Sequence, residues 1–250
     1  MFDDPANIVI LISTFLLAGT VKGATGLGLP TISIALLAIA FDLTTAMALL
    51  LIPSLITNLW QGLIGGHFTV LIKRFWLFLT CATVTVWLGA AAWSQFELIW
   101  LTALLGLSLL VYAGLSLSGW RPSLSLMQAR WSSPLFGVAN GVLTGMTGSF
   151  VVPGVLYLQA LGLRRDMLVQ AMGLLFALST LALAGVLQTY DKINAEALGY
   201  SSLALIPALI GMWLGQKVRQ HLSEVLFRQA FFFALALLGA YILVSIAMKL

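Results

Sequence analysis

The chain has 250 residues, of which 61% are hydrophobic and 8% charged, with a mean hydropathy of +1.06 and a net charge of +4. Soluble domains carry about 25% charged residues, so the composition excludes a soluble fold, and the length leaves no room for a separate catalytic domain. The surplus of Lys and Arg marks a cytoplasmic face rather than a nucleic-acid partner, and the single Cys81 excludes an internal disulfide and any multi-thiolate metal centre.

A helix needs about 20 apolar residues to cross the hydrocarbon core. The first apolar stretch, 6–22, follows an acidic start (Asp3, Asp4), which lacks the basic flank of a signal peptide. It runs into a Gly-rich interruption, Gly19-Thr-Val-Lys22-Gly23-Ala-Thr25-Gly26-Leu-Gly28-Leu-Pro30, and a second short stretch follows at 29–41. Spans are expected at 43–64, 75–94 and 98–118. A basic linker, 119–133, leads to another short pair, 134–146 and 149–162. Between its members lies a second interruption, Gly137-Val-Ala-Asn140-Gly141-Val-Leu-Thr144-Gly145-Met-Thr147-Gly148-Ser149. Three more spans are expected at 167–188, 197–215 and 227–248. Each short pair reads as a re-entrant hairpin of half-helices, with 6–22 also long enough to span. Paired Gly-rich interruptions of this kind point to a transporter's binding site, because irregular backbone survives at membrane depth only when buried or lining a cavity.

Charge sets the topology. With the loops at Lys73/Arg74, Arg121/Arg130, Arg164/Arg165 and Lys217/Arg219/Arg228 inside, nine of the twelve basic residues are cytoplasmic. Asp3, Asp4, Asp42, Glu97, Asp191 and Glu196 then fall outside, as do Lys192 and Lys249, and both termini are periplasmic. The first hairpin starts and ends outside and the second starts and ends inside, each followed by three spans. The fold expected is an all-α polytopic membrane protein of two inverted repeats, 1–118 and 134–250, in one domain. The segment Ala46-Met47-Ala-Leu49-Leu50 recurs as Ala171-Met172-Gly-Leu174-Leu175, and Ser54 recurs as Ser179 at the same offset.

The run Thr-Val-Lys22-Gly23-Ala-Thr-Gly26-Leu-Gly28-Leu resembles the first glycine motif of the TauE/SafE sulfite-exporter family. The second glycine cluster, followed by Val152-Pro153, resembles that family's second motif, with Thr147, Ser149 and Phe150 interposed in what is usually a tighter glycine run. The resemblance covers nearly the whole chain. It implies a bacterial inner-membrane carrier for anionic sulfur compounds such as sulfite or organosulfonates.

Lys22 is the leading candidate for chemistry. A cation at membrane depth is costly and functional by default, whereas a lysine near a helix end snorkels to the headgroups. Asn140 occupies the matching GxxxG position of the second half, as a donor to an oxyanion or as an interhelical bond. Thr25, Thr144, Thr147 and Ser149 flank the turns, where hydroxyls and helix N-termini either bind an anion or cap the helix. Gly26, Gly28, Gly145 and Gly148 permit close backbone approach. The GxxxG steps Gly19/Gly23 and Gly137/Gly141 read as helix-packing sites. Asn58 leads the polar residues of the span after the first hairpin, with Ser54 and Thr57; Gln170, Ser179 and Thr180 lie on its counterpart. Arg164 and Arg165 read as topology anchors, and His67 and His221 as surface groups. Trp60, Trp76, Trp87, Trp93, Trp100 and Trp213 read as an interface belt.

The expected function is alternating-access export of a small anion around a midplane site at the two breaks. An anion channel and a carrier of small carboxylates are the alternatives. An intramembrane enzyme would need paired titratable groups within the spans, such as HExxH, and the sequence has none. No cofactor or metal is expected. The partners are the anionic substrate and the bilayer, with a coupling ion (proton or sodium) and a homo-oligomer left open.

Overall fold

The computed structural model describes residues 4–120, 122–219 and 224–248; Asp3, Arg121, His221 and Lys249, used above for charge and topology, lie outside them. The described residues form helices joined by short turns. In chain order these are α1 (Pro5–Thr25), α2 (Leu29–Ala40), α3 (Leu43–Leu63), α4 (Phe68–Val84), α5 (Val86–Ala90), α6 (Leu98–Leu117), α7 (Leu126–Thr147), α8 (Gly154–Ala160), α9 (Arg165–Thr189), α10 (Ala195–Arg219) and α11 (Glu224–Ala247). Among the described residues, seven helical segments are long and apolar enough to cross a membrane: α1, α3, the α4–α5 segment, α6, α9, α10 and α11.

The short pairs are less symmetric than half-helices would be. The 21 residues of α1 rise about 31 Å, enough to cross the hydrocarbon core. Its partner α2 has 12 residues. In the second pair, α7 begins at Leu126 rather than near 134, because Ser125 and Gln128 form a capping box that starts the helix inside the basic segment. Its partner α8 has only 7 residues. Both pairs are therefore a long helix followed by a short one. The span expected at 75–94 starts at Phe68 and is interrupted at Thr85 before ending in a 3-10 turn at Ala91–Ser94.

Glycine decides which helices touch. A Cβ on Gly19 or Gly23 would stand 2.2 or 2.1 Å from the carbonyl oxygens of Ala208 or Met212, so α1 and α10 meet backbone to backbone. Gly211 and Gly215 on α10 make the reciprocal approach to Leu16 and Thr20. The pair formed by α7 with α4 and α5 repeats this design. Gly137, Gly141 and Gly145 lie on Phe78, Ala82 and Val86, and Gly89 lies on Val142. In each pair the contacts advance in register, so the paired helices run parallel. At the centre α3 and α9 run antiparallel, with Gly62 on Gly173 at one level and Ser54 beside Thr180 at another.

Pro53 sits inside α3 and cannot donate to the Leu49 carbonyl. Ser201 of α10 supplies the missing donor: its hydroxyl donates to the Leu49 carbonyl at 2.8 Å and accepts from the Ile52 N–H at 3.0 Å. Gln170 of α9 does a similar service at the end of α3, donating to the Gly62 carbonyl and accepting from the His67 N–H, both at 3.0 Å. Of the tryptophans expected at the interfaces, Trp60, Trp76, Trp87, Trp100 and Trp213 are exposed. Trp93 instead packs edge-on to Tyr190 and donates to the Met146 carbonyl at 3.4 Å, so it holds the second break rather than the lipid interface.

Candidate functional site

The helical register runs farther into each Gly-rich interruption than the glycine count suggests. α1 stays helical through Thr25, and only Gly26, Leu27 and Gly28 leave it before α2. Gly26 closes α1 in the left-handed conformation (φ 78°), and its N–H reaches the Lys22 carbonyl at 2.7 Å. Gly28 has φ 106°, a value that favours glycine, and a Cβ there would meet Val21 and Phe231. α7 ends the same way: Gly148 has φ 69° and its N–H reaches the Thr144 carbonyl at 2.7 Å.

The threonine before each cap plays one role in both halves. Thr25 donates to the Val21 carbonyl at 2.9 Å and accepts the Leu27 N–H at 3.0 Å. Thr147 donates to the Leu143 carbonyl at 2.7 Å and accepts the Ser149 N–H at 3.2 Å. This geometry pairs Lys22 with Thr144, not with Asn140 as the GxxxG spacing suggested, because helix caps rather than packing glycines define the equivalent turns.

The contents of the two breaks differ. Lys22 lies in the last turn of α1, 2% exposed, so its ammonium does not reach a headgroup. It donates to the Thr57 hydroxyl at 3.1 Å and to the Asn58 side-chain oxygen, both on α3. The Asn58 amide donates to Ser54 at 3.0 Å, and Ser54 meets Thr180 of α9 at 3.0 Å. Thr180 gives its proton to the Phe176 carbonyl at 2.7 Å, so Ser54 donates to Thr180. The donors form a directed chain from α1 through α3 to α9. Every acceptor on it is neutral, so the buried ammonium has hydrogen-bond partners but no bonded counter-charge. Thr57 was the weaker expectation on the sequence and stands here as a direct partner of Lys22.

The second break holds no charge. Thr144 donates to the Ser149 carbonyl at 3.0 Å, and Asn140 accepts the Gly154 N–H at 2.9 Å. Asn140, Thr144, Thr147 and Ser149 are all buried. Gly145 is a packing glycine against Val86, and Gly148 lies on Met47 and Ile34.

The cavity that reaches the first break does not extend to the second. A cavity of about 480 Å³ is lined by Thr25 of the first break, with Trp120, Gln159, Arg165, Arg228 and Phe231 among its walls, and by no residue of the second break. It lies on the side that carries the basic loops. Its lining reaches Ala24 and Thr25 but not Lys22, which is about one turn deeper. Gly26 packs on Val169 near the start of α9, and Gly148 on Met47 near the start of α3. Since α3 and α9 are antiparallel, the breaks lie toward opposite ends of the central pair. Sequence reasoning missed Trp120 and Gln159 as cavity walls and took Arg165 for an anchor. The signal for Ser201 was Pro53, which announces a carbonyl in need of a donor.

A family model described as sulfite exporter TauE/SafE matches residues 11–242. No curated protein and no solved structure matches the chain. The match spans both breaks and every helix that surrounds them, and the chain belongs to the TauE/SafE family of membrane transporters.

Proposed function

We propose that this TauE/SafE family member is a secondary carrier that exports a small sulfur-containing anion, such as sulfite or an organosulfonate, by alternating access. The observation that carries the reading is Lys22, a buried lysine whose bonded acceptors are all neutral. An ionisable residue buried in a membrane span marks a substrate or ion pathway, and an anion bound beside Lys22 would supply the counter-charge. The two halves, 1–118 and 134–250, act as inverted repeats joined by the 119–133 linker. Their matched caps and parallel glycine-packed helix pairs support this reading.

In this reading the cavity beside Arg165 and Arg228 is the cytoplasmic vestibule. Its two cations concentrate anions at the mouth, and Thr25, Gly26 and Gly28 lead them toward Lys22 and Asn58. Asn140, Thr144, Gly145, Thr147, Gly148 and Ser149 form the opposite side of the pathway, opened when access changes. A vestibule whose lining stops at Thr25 favours a carrier over a continuously open pore. The site needs no cofactor, both termini are periplasmic, and the membrane is the bacterial inner membrane.

The test is sulfite and organosulfonate flux into proteoliposomes, with binding measured on purified variants at fixed pH. Flux should saturate. Lys22→Ala and Lys22→Gln should weaken binding about 10- to 150-fold, the equivalent of about 1.5–3 kcal/mol for a charge-assisted bond. Lys22→Arg should keep partial function, since charge persists and shape changes. Wild-type affinity in Lys22→Ala would remove Lys22 from the site.

A further inference from the structure

Two buried polar groups, one at the second break and one on the neighbouring α9, are left without partners among the described residues. The Asn140 side-chain nitrogen and the Ser179 hydroxyl find no hydrogen-bond partner among the described residues, and both side chains are 0% exposed. The orientation of Asn140 is determined by its neighbour. The Gly154 N–H needs an acceptor and takes the amide oxygen at 2.9 Å, which leaves the NH2 donors unspent. Unmet donors in a buried place destabilise a fold, and natural structures keep few of them.

The two groups share one region. The Gly154 position is flanked by Asn140 and by Leu175 of α9. Ser179 is one turn beyond Leu175 on the same helix face, the face that continues to Ala182 and Val186 where these pack on Val86 and Ala90 of α5. α7 lies parallel to α4–α5 through Gly137, Gly141 and Gly145, and α9 meets the same segment through Gly185 on Trp87. Asn140 and Ser179 therefore stand at neighbouring heights between α7, α8 and α9. In the first half the equivalent serine, Ser54, is fully engaged: it accepts from Asn58 and bonds Thr180. Its counterpart is idle.

We infer that Asn140 and Ser179 form a second, uncharged oxyanion subsite, which takes the sulfonate or sulfite oxygens of the substrate after they leave Lys22. The inference rests on the anion-carrier reading above. The Asn140 NH2 only donates and the Ser179 hydroxyl can donate as well, so a ligand atom that accepts from both is complementary to the pair. Neither carries charge, so the anion is held here more weakly than at Lys22 and can be released.

The experiment is isothermal titration of sulfite and of ethanesulfonate into purified full-length protein, with thermal unfolding measured on the same samples. Ser179→Ala removes an unpartnered hydroxyl and is expected to leave the unfolding temperature unchanged or higher. It should weaken anion binding about three- to tenfold, the range for one hydrogen bond. Asn140→Asp keeps the acceptor for Gly154, removes the two donors and should weaken binding more than tenfold. Unchanged affinity in folded Ser179→Ala would overturn the inference and leave only a site for structural water. A lowered unfolding temperature in Ser179→Ala would overturn it too, by showing that the hydroxyl holds the fold. If the wild-type protein binds neither probe, the carrier reading itself fails, an outcome distinct from a wild type that binds and a variant that matches it.

Discussion

The two helix breaks have the same backbone and opposite contents. Each ends a long helix in a left-handed glycine, Gly26 or Gly148, after a threonine that serves both the preceding turn and the following N–H. Yet the position one turn before the cap is Lys22 in one and Thr144 in the other. The first break reaches sideways to α3 for its acceptors, whereas the second bonds within its own turn and to α8. Backbone geometry thus supplies two equivalent frames, and a single substitution of charge for hydroxyl gives them different chemistry. A second buried cation would double the cost of burying charge in the membrane.

The largest expected effect tests the frames and not their contents. Gly23→Ala and Gly145→Ala each place a Cβ about 2 Å from a carbonyl oxygen, of Met212 and Val86 respectively. Backbone cannot yield as a side chain can, so each should destabilise by about 3 kcal/mol or more. Thermal unfolding in detergent should show similar losses in the two halves. A tolerant Gly145→Ala beside a damaging Gly23→Ala would break the equivalence.

Asn58→Leu comes next. The counterpart of Asn58 in the second half is Leu183, so this substitution makes the first half resemble the second. It strips the ammonium of one acceptor and should cost about 2–3 kcal/mol, above the loss of a neutral bond. Lys22→Met together with Asn58→Leu should recover much of that stability while anion binding stays lost. Ser201→Ala is smaller, about 1–2 kcal/mol, because it leaves the Leu49 carbonyl without its donor beside Pro53. No such loss is expected at the matching place in α9, where Leu178 stands in place of a proline.

The smallest effect is at the start of α3. Asp42 caps that helix through the Thr45 N–H at 3.0 Å. Partial burial raises its carboxyl pKa, but bonds from Thr44 and Thr45 outweigh this and hold it below the usual value. A depressed folded pKa stabilises above the unfolded value of about 4, and that contribution is lost as pH falls through the folded pKa. Asp42→Ala should cost about 1 kcal/mol at neutral pH and flatten the acid limb of stability. The N-cap of α9, Arg164, makes no side-chain cap bond, so Arg164→Ala should leave that limb unchanged.

Much of this was legible in the sequence. The Thr-Gly pairs at 25–26 and 147–148 mark the breaks because only glycine adopts the closing conformation cheaply. Lys22 stood out because a charge is rare in such a chain. Other features depend on packing and were hidden. Arg130 and Trp131 disguised the first turns of α7, which a local capping box starts. GxxxG spacing aligned Asn140 with Lys22, although those glycines serve the α1–α10 and α7–α4 contacts and say nothing about equivalent turns. The separation of the breaks along the central pair follows from the lengths of α1 and α7, 21 and 22 residues; the apolar stretch 134–146 covers only part of α7, and its shortness made that helix look like a half.

The glycine seams have a mechanical consequence. Where α1 rests on α10, and α7 on α4 and α5, the close approaches are mostly backbone against backbone, with few side chains to slide or repack. Each pair behaves as a welded beam. The seam between α3 and α9 has one glycine contact, Gly62 on Gly173, and adds amides and hydroxyls, which can trade partners at low cost. A molecule assembled this way has two stiff struts and one softer joint, and the lysine is bolted to a strut with its bonds ending on one side of the joint.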